Sequence, residues 1–135
     1  MRAGPAAALI LALTASGAGA ADLKIVDNRG TQVVLSGAVI DYGGMISADK
    51  EADGIRVLQG DGMVTVKWTD IESIKVVKTD DSERPPRIEL EIALRNGRKL
   101  PAALFRQGRM KLLGKSELGE YSIDLDKIRS IAPVR

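Results

Sequence analysis

Along this chain the apolar residues change rhythm near its start. Ala6 to Ala15 is a nearly continuous apolar run, whereas from Ala21 onward apolar residues come in short stretches broken by Gly, Asn and Asp. β-Branched residues dominate those stretches: Leu23-Lys24-Ile25-Val26, Gln32-Val33-Val34-Leu35, Ile55-Arg56-Val57-Leu58 and Val64-Thr65-Val66-Lys67-Trp68. Short punctuated runs of this kind predict strands. The last has the clearest period of two, which puts Val64, Val66 and Trp68 on one face and predicts that this face looks into a core. No window carries an apolar stripe at helical spacing long enough for a helix of about ten residues.

The strand pattern occurs twice. Val64 to Ile74 aligns with Tyr121 to Ile131 at an offset of 57, every apolar position matching. Upstream, Ile55-Arg56-Val57-Leu58 aligns with Met110-Lys111-Leu112-Leu113 at an offset of 55, which gives the second copy two more residues in its hairpin. Leu23 to Gly30 aligns with Leu90 to Gly97 at an offset of 67. The prediction is two β repeats, residues 21–78 and 88–135, separated by a polar linker at 79–87 that contains Pro85-Pro86. Each repeat ends in Asp-Ile-x-Ser-Ile or Lys-Ile-x-Ser-Ile, where isoleucines three apart predict one helical turn before a last short strand. About five short strands with a single turn before the last is the plan of a small SH3-like or Sm-like barrel, whose narrow core suits aliphatic residues. The expected fold class is all-β: two tandem small SH3-like β-barrel repeats, or alternatively one β-sandwich formed by the two together. The segment Gly114 to Ile131 also resembles a recurring β module of bacterial secreted proteins, in which a Gly-containing hairpin precedes a strand and an I-x-x-I turn. The resemblance covers about 20 residues of clear pattern. The first copy departs from it in having the shorter Gly60-Asp61-Gly62. What it implies is architecture, and no activity comes with it.

The N-terminus changes the picture of where the chain works. Met1 and Arg2 give a short positive region, Ala6 to Ala15 an apolar one, and Ala18-Gly19-Ala20 an A-x-A cleavage site, the pattern of a cleaved signal peptide at 1–20. The apolar run is shorter than the roughly 20 residues a membrane span needs. The expectation is export to the periplasm or the extracellular space, with no transmembrane segment in the mature chain. Residues 21–135 carry 19 basic and 18 acidic side chains. With no Cys and no His, the chain has no disulfide, thiol nucleophile, Ser-His-Asp relay or histidine-ligated metal. Only carboxylate, lysine, tyrosine or hydroxyl chemistry remains.

Candidate sites are few. Asp49, Glu51 and Asp53 alternate before Gly54 as in a calcium loop, but the twelfth position is Gly60 where a bidentate Glu is needed. A solvated loop is the simpler reading. Asp124 and Asp126, two apart in an expected strand, would share its outward face. Trp68 reads as core. Charge is unevenly divided: residues 21–83 hold 7 basic and 12 acidic side chains, residues 84–135 hold 12 and 6. From this comes a basic surface on the second repeat, Arg98, Lys99, Arg106, Arg109 and Lys111, able to meet phosphate or carboxylate groups. The expected function is that of an exported, noncatalytic envelope protein that binds a partner, a protein or an anionic polymer, with no cofactor and with self-association as a further option. A wall-targeting module for glycan or peptide is the alternative. A carboxylate enzyme is the weakest reading, and export makes nucleic acid the weakest partner.

Overall fold

The structure, a computed structural model, describes residues 21–42, 53–82, 86–105 and 110–134, so the leader-like segment 1–20 lies outside it. Ten strands follow in order: β1 (Ala21–Asp27), β2 (Gln32–Asp41), β3 (Gly54–Gln59), β4 (Gly62–Lys67), β5 (Ile71–Asp80), β6 (Arg87–Leu94), β7 (Lys99–Phe105), β8 (Lys111–Ser116), β9 (Gly119–Asp124) and β10 (Ile128–Pro133). The chain is all-β, as its pattern predicts. Among the described residues no helix is long and apolar enough to cross a membrane. Single 3-10 turns, Trp68–Asp70 and Leu125–Lys127, precede the last strand of each repeat as expected, but they end just before the paired isoleucines, which belong to β5 and β10 themselves. In each turn a buried residue, Trp68 or Leu125, anchors the first position, and the N–H of the following Ile71 or Ile128 donates back to its carbonyl.

All strands join one antiparallel sheet in the order β4-β3-β7-β6-β5-β10-β1-β2-β8-β9. The strands are not sorted by sequence repeat. One half of the sheet, β4-β3-β7-β6-β5, takes three strands from the first repeat and the hairpin β6–β7 from the second. The other half, β10-β1-β2-β8-β9, takes β8, β9 and β10 from the second repeat and the hairpin β1–β2 from the first. Each repeat therefore lends its opening hairpin to its neighbour. The halves meet where β5 pairs with β10, Ile74 opposite Ile131.

The ladders of the two halves share one register. Ile25 pairs with Ile131 as Ile92 pairs with Ile74, and Leu23 with Pro133 as Leu90 with Val76. Backbone bonds outside the ladders repeat too. Asn28 N–H donates to Lys127 O (2.9 Å) and Arg95 N–H to Asp70 O (3.0 Å), while Trp68 N–H donates to Asp53 O and Leu125 N–H to Met110 O. In each half the lent hairpin is thus tied to the 3-10 turn of the other repeat.

Three expectations need correction. The hairpins β3–β4 and β8–β9 are equally long, Gly54 to Lys67 matching Lys111 to Asp124 pair for pair, so the offset is 57 here as well and not 55. Two-residue turns close both, and the apolar likeness of Met110 to Ile55 was misleading. Val64 does not look into the closed core: it is 38% exposed, while Ile55, Val57, Trp68 and Ile71 are buried. β4 is a terminal strand of the sheet, and its inner face meets open space. The segment 79–87 is also partly strand, since Thr79 pairs with Ile88 and Asp80 with Arg87. One cluster of buried residues, among them Leu23, Leu35, Ile74, Ile88, Leu112 and Ile128, draws on both repeats.

Candidate functional site

The residues singled out in the sequence fall apart in space. Arg98 and Lys99 are exposed where the β6–β7 turn enters β7. Lys111 begins β8 in the other half, beyond the far end of β7, a seven-residue strand that spans about 20 Å. It stands between Asp41 and Asp124 on the flanking strands, 3.9 Å from the Asp124 carboxylate. Arg106 and Arg109 lie outside the described residues, as do Asp49 and Glu51. Asp53 is exposed and lends its carbonyl to Trp68. Asp124 and Asp126 do not share a strand face, because β9 ends at Asp124 and the chain enters the 3-10 turn. Trp68 is core.

Strand exchange also redistributes charge. Residues 53–105, which span the first half, hold nine basic and nine acidic side chains, and residues 21–42 with 110–135 hold seven of each. The opposite charges of the two repeats cancel within each half of the molecule. Locally, opposite charges face each other across the ladder: Lys75 pairs with Glu91, Lys78 with Glu89, and Asp80 with Arg87.

What the structure does build is a cleft of about 460 Å³ in the first half, between the β3–β4 hairpin and the lent β6–β7 hairpin. Its walls include Val57, Val64, Val66, Leu94, Leu100 and Pro101, and its rim carries Lys67, Asp70 and Arg95 beside Gln59, Thr65 and Asn96. Arg95 and Asn96 of the rim lie on the same turn as Arg98, which leads into Lys99, so these two of the five basic candidates are near the cleft without lining it.

The second half carries different side chains at the positions that match the cleft walls. The counterpart of Val64 is Tyr121, half-buried and packed against the core. Burial raises the Tyr121 pKa above its ordinary value, and the charge of Asp27 raises it further. Asp27 is the counterpart of Leu94, so a charged residue stands where the first half has an apolar one on the cleft wall. The counterpart of Ala102 on the cleft wall is the fully buried Leu35. Leu35 fits because the residue facing it is Gly114, where a Cβ would lie 3.0 Å from the Leu35 Cβ; the first half has Val57 at that place. Val64 and Ala102 thus line the cleft where the second half has the larger Tyr121 and Leu35, and the open space of the second half, about 490 Å³, lies instead along Gly37, Val39, Gly114 and Tyr121. The Val64–Tyr121 difference is visible in the sequence alignment at offset 57. Its meaning is not, because the cleft's other wall comes from the exchanged hairpin.

Compared with known proteins, the chain matches no family model, and no curated sequence matches it.

Proposed function

We propose that this chain is an exported, noncatalytic binding module of the cell envelope, and that it takes its ligand in the cleft between β4 and the β6–β7 hairpin. The observation that supports this reading is that the first half holds a cleft with apolar walls and a polar rim, built between a hairpin of one repeat and the hairpin lent by the other. Apolar pockets with a few polar groups at the mouth are the usual form of a binding site. Export rests on the signal-like pattern of residues 1–20. The SH3-like reading is supported by the strand order within each half, the last strand beside the first and the fourth at the far edge, with each half assembled from two repeats. Apolar walls and the rim cations Lys67 and Arg95 suit a peptide segment that carries apolar side chains and a carboxylate. No aromatic residue is among the described lining residues, which disfavours a glycan, since sugars are commonly held on aromatic faces. Among the described residues the cleft presents Asp70 as its one carboxylate, so a paired-carboxylate mechanism has no second member there.

The test is capture from the organism's own envelope extract by the immobilised chain and by the variant Val64→Tyr, which places the second half's Tyr121 at an exposed position of the cleft wall. The expected result is a protein or peptide ligand retained by the unaltered chain, held at high salt, and lost in the variant. Equal capture by both proteins would sink the cleft as the site. Retention of anionic polymer at low salt alone would return the function to the basic residues.

A further inference from the structure

We infer that two copies of this chain associate through β4, edge to edge and antiparallel, about a two-fold axis at Thr65. β4 and β9 are the terminal strands of the sheet and occupy matching places in the two halves, so each serves as a control for the other. A free edge is a template for pairing, and natural proteins commonly shield it with charge.

Which groups of β4 face outward follows from the hairpin. A two-residue turn is flanked by a hydrogen-bonded pair, here Gln59 and Gly62, and the pairs alternate from there. Val64 and Val66 therefore bond to β3, while Met63, Thr65 and Lys67 turn their N–H and C=O away from it. The partner strand agrees: Arg56, opposite Thr65, sends its N–H away from β4 to the Tyr42 hydroxyl at 2.9 Å. By the same count β9 turns Glu120, Ser122 and Asp124 outward.

Self-pairing then has opposite consequences at the two edges. About Ser122, β9 would set Glu120 against Asp124 twice, like charges directly opposite each other. About Thr65, β4 sets Thr65 against Thr65, Val64 against Val66, and Met63 against Lys67, whose aliphatic stem can lie along the thioether. No like charges meet. β4 is also the edge that leaves apolar surface uncovered, with Met63 51% and Val64 38% exposed. A six-residue edge buries far less than the roughly 1,200 Å² of a standard stable interface, so association is weak and concentration-dependent. Because the register is self-complementary, it closes as a dimer and places the two clefts side by side.

Sedimentation equilibrium of the purified chain, from micromolar to millimolar concentration, tests this. A monomer–dimer equilibrium is expected. Met63→Lys should weaken it about tenfold by setting a second cation opposite Lys67 of the partner subunit, and Met63→Glu should tighten it, most clearly at low salt. Position 63 is exposed, so both variants should fold. Ser122→Pro, on the outward side of β9, should leave association unchanged. A monomer at every concentration, equal effects of Met63→Lys and Met63→Glu, or open-ended chains through β4 and β9 would each overturn the proposal. Its failure leaves the cleft reading untouched, because that reading is scored by capture of a ligand.

Discussion

At position 114 the absence of a side chain decides how one half of the molecule is filled. A Cβ there would lie 3.0 Å from the Leu35 Cβ and 3.3 Å from the Ser36 carbonyl oxygen, and only one of these neighbours can give way. Gly114→Ala should therefore cost about 1–3 kcal/mol through overpacking, measured as a shift of the urea midpoint at constant slope. Leu35→Ala should destabilise as well, by leaving a cavity. The double variant should lose less than the two single losses together, because the space vacated beyond the Cβ of residue 35 lets that residue shift away from the new Cβ at 114. Strict additivity would mean that positions 35 and 114 do not share one space. These volumes also explain why the cleft was hard to read from sequence. Valine against tyrosine, or alanine against leucine, is ordinary variation until the fold brings both differences into one wall.

The hairpin elements show which parts of the pattern were legible. Strands and single turns were, because alternation of apolar residues, glycine punctuation and paired isoleucines are local signals read within a few residues. Pairing partners were not, since the ladder between β2 and β8 joins residues far apart in sequence, Ile40 to Leu112. The same gap misplaced the basic face: Arg98 and Lys111 are close in sequence but belong to different halves of the sheet. Within β3–β4 the close approach of the strands fixes a glycine of ordinary backbone angle. A Cβ on Gly54 would sit 2.4 Å from the Val66 carbonyl oxygen, whereas one on Gly62, at the other end of the hairpin, would find its nearest neighbour at 3.8 Å. Gly54→Ala should push β4 aside and lower the melting temperature by several degrees, on the order of 1–3 kcal/mol. Gly62→Ala should change it little. Equal shifts in thermal unfolding would refute this account.

On the scale of the whole molecule, exchange of the hairpins sets both the charge balance and the cohesion. The acidic first repeat and basic second repeat suggest two surfaces of opposite sign, but each half of the sheet draws from both repeats and is close to neutral. Cohesion follows from the same connectivity. The first repeat supplies β1 and β2 to one half and β3, β4 and β5 to the other, so each fragment produced by a cut between Ser82 and Pro86 holds strands of both halves. Two chains ending and beginning at that cut, produced together, should copurify as a one-to-one complex with the circular dichroism of the intact chain; separately folded monomers would contradict the exchange. Joining them in one chain adds the entropy of a short loop closure, a few kcal/mol by the usual estimate, and no new pairing. Under the proposed export, which would put the chain among proteases outside the cytoplasm, the result is a form of damage tolerance. A nick between Ser82 and Pro86 breaks the polypeptide without releasing either piece, and the cleft, whose two walls lie on opposite sides of the cut, stays assembled.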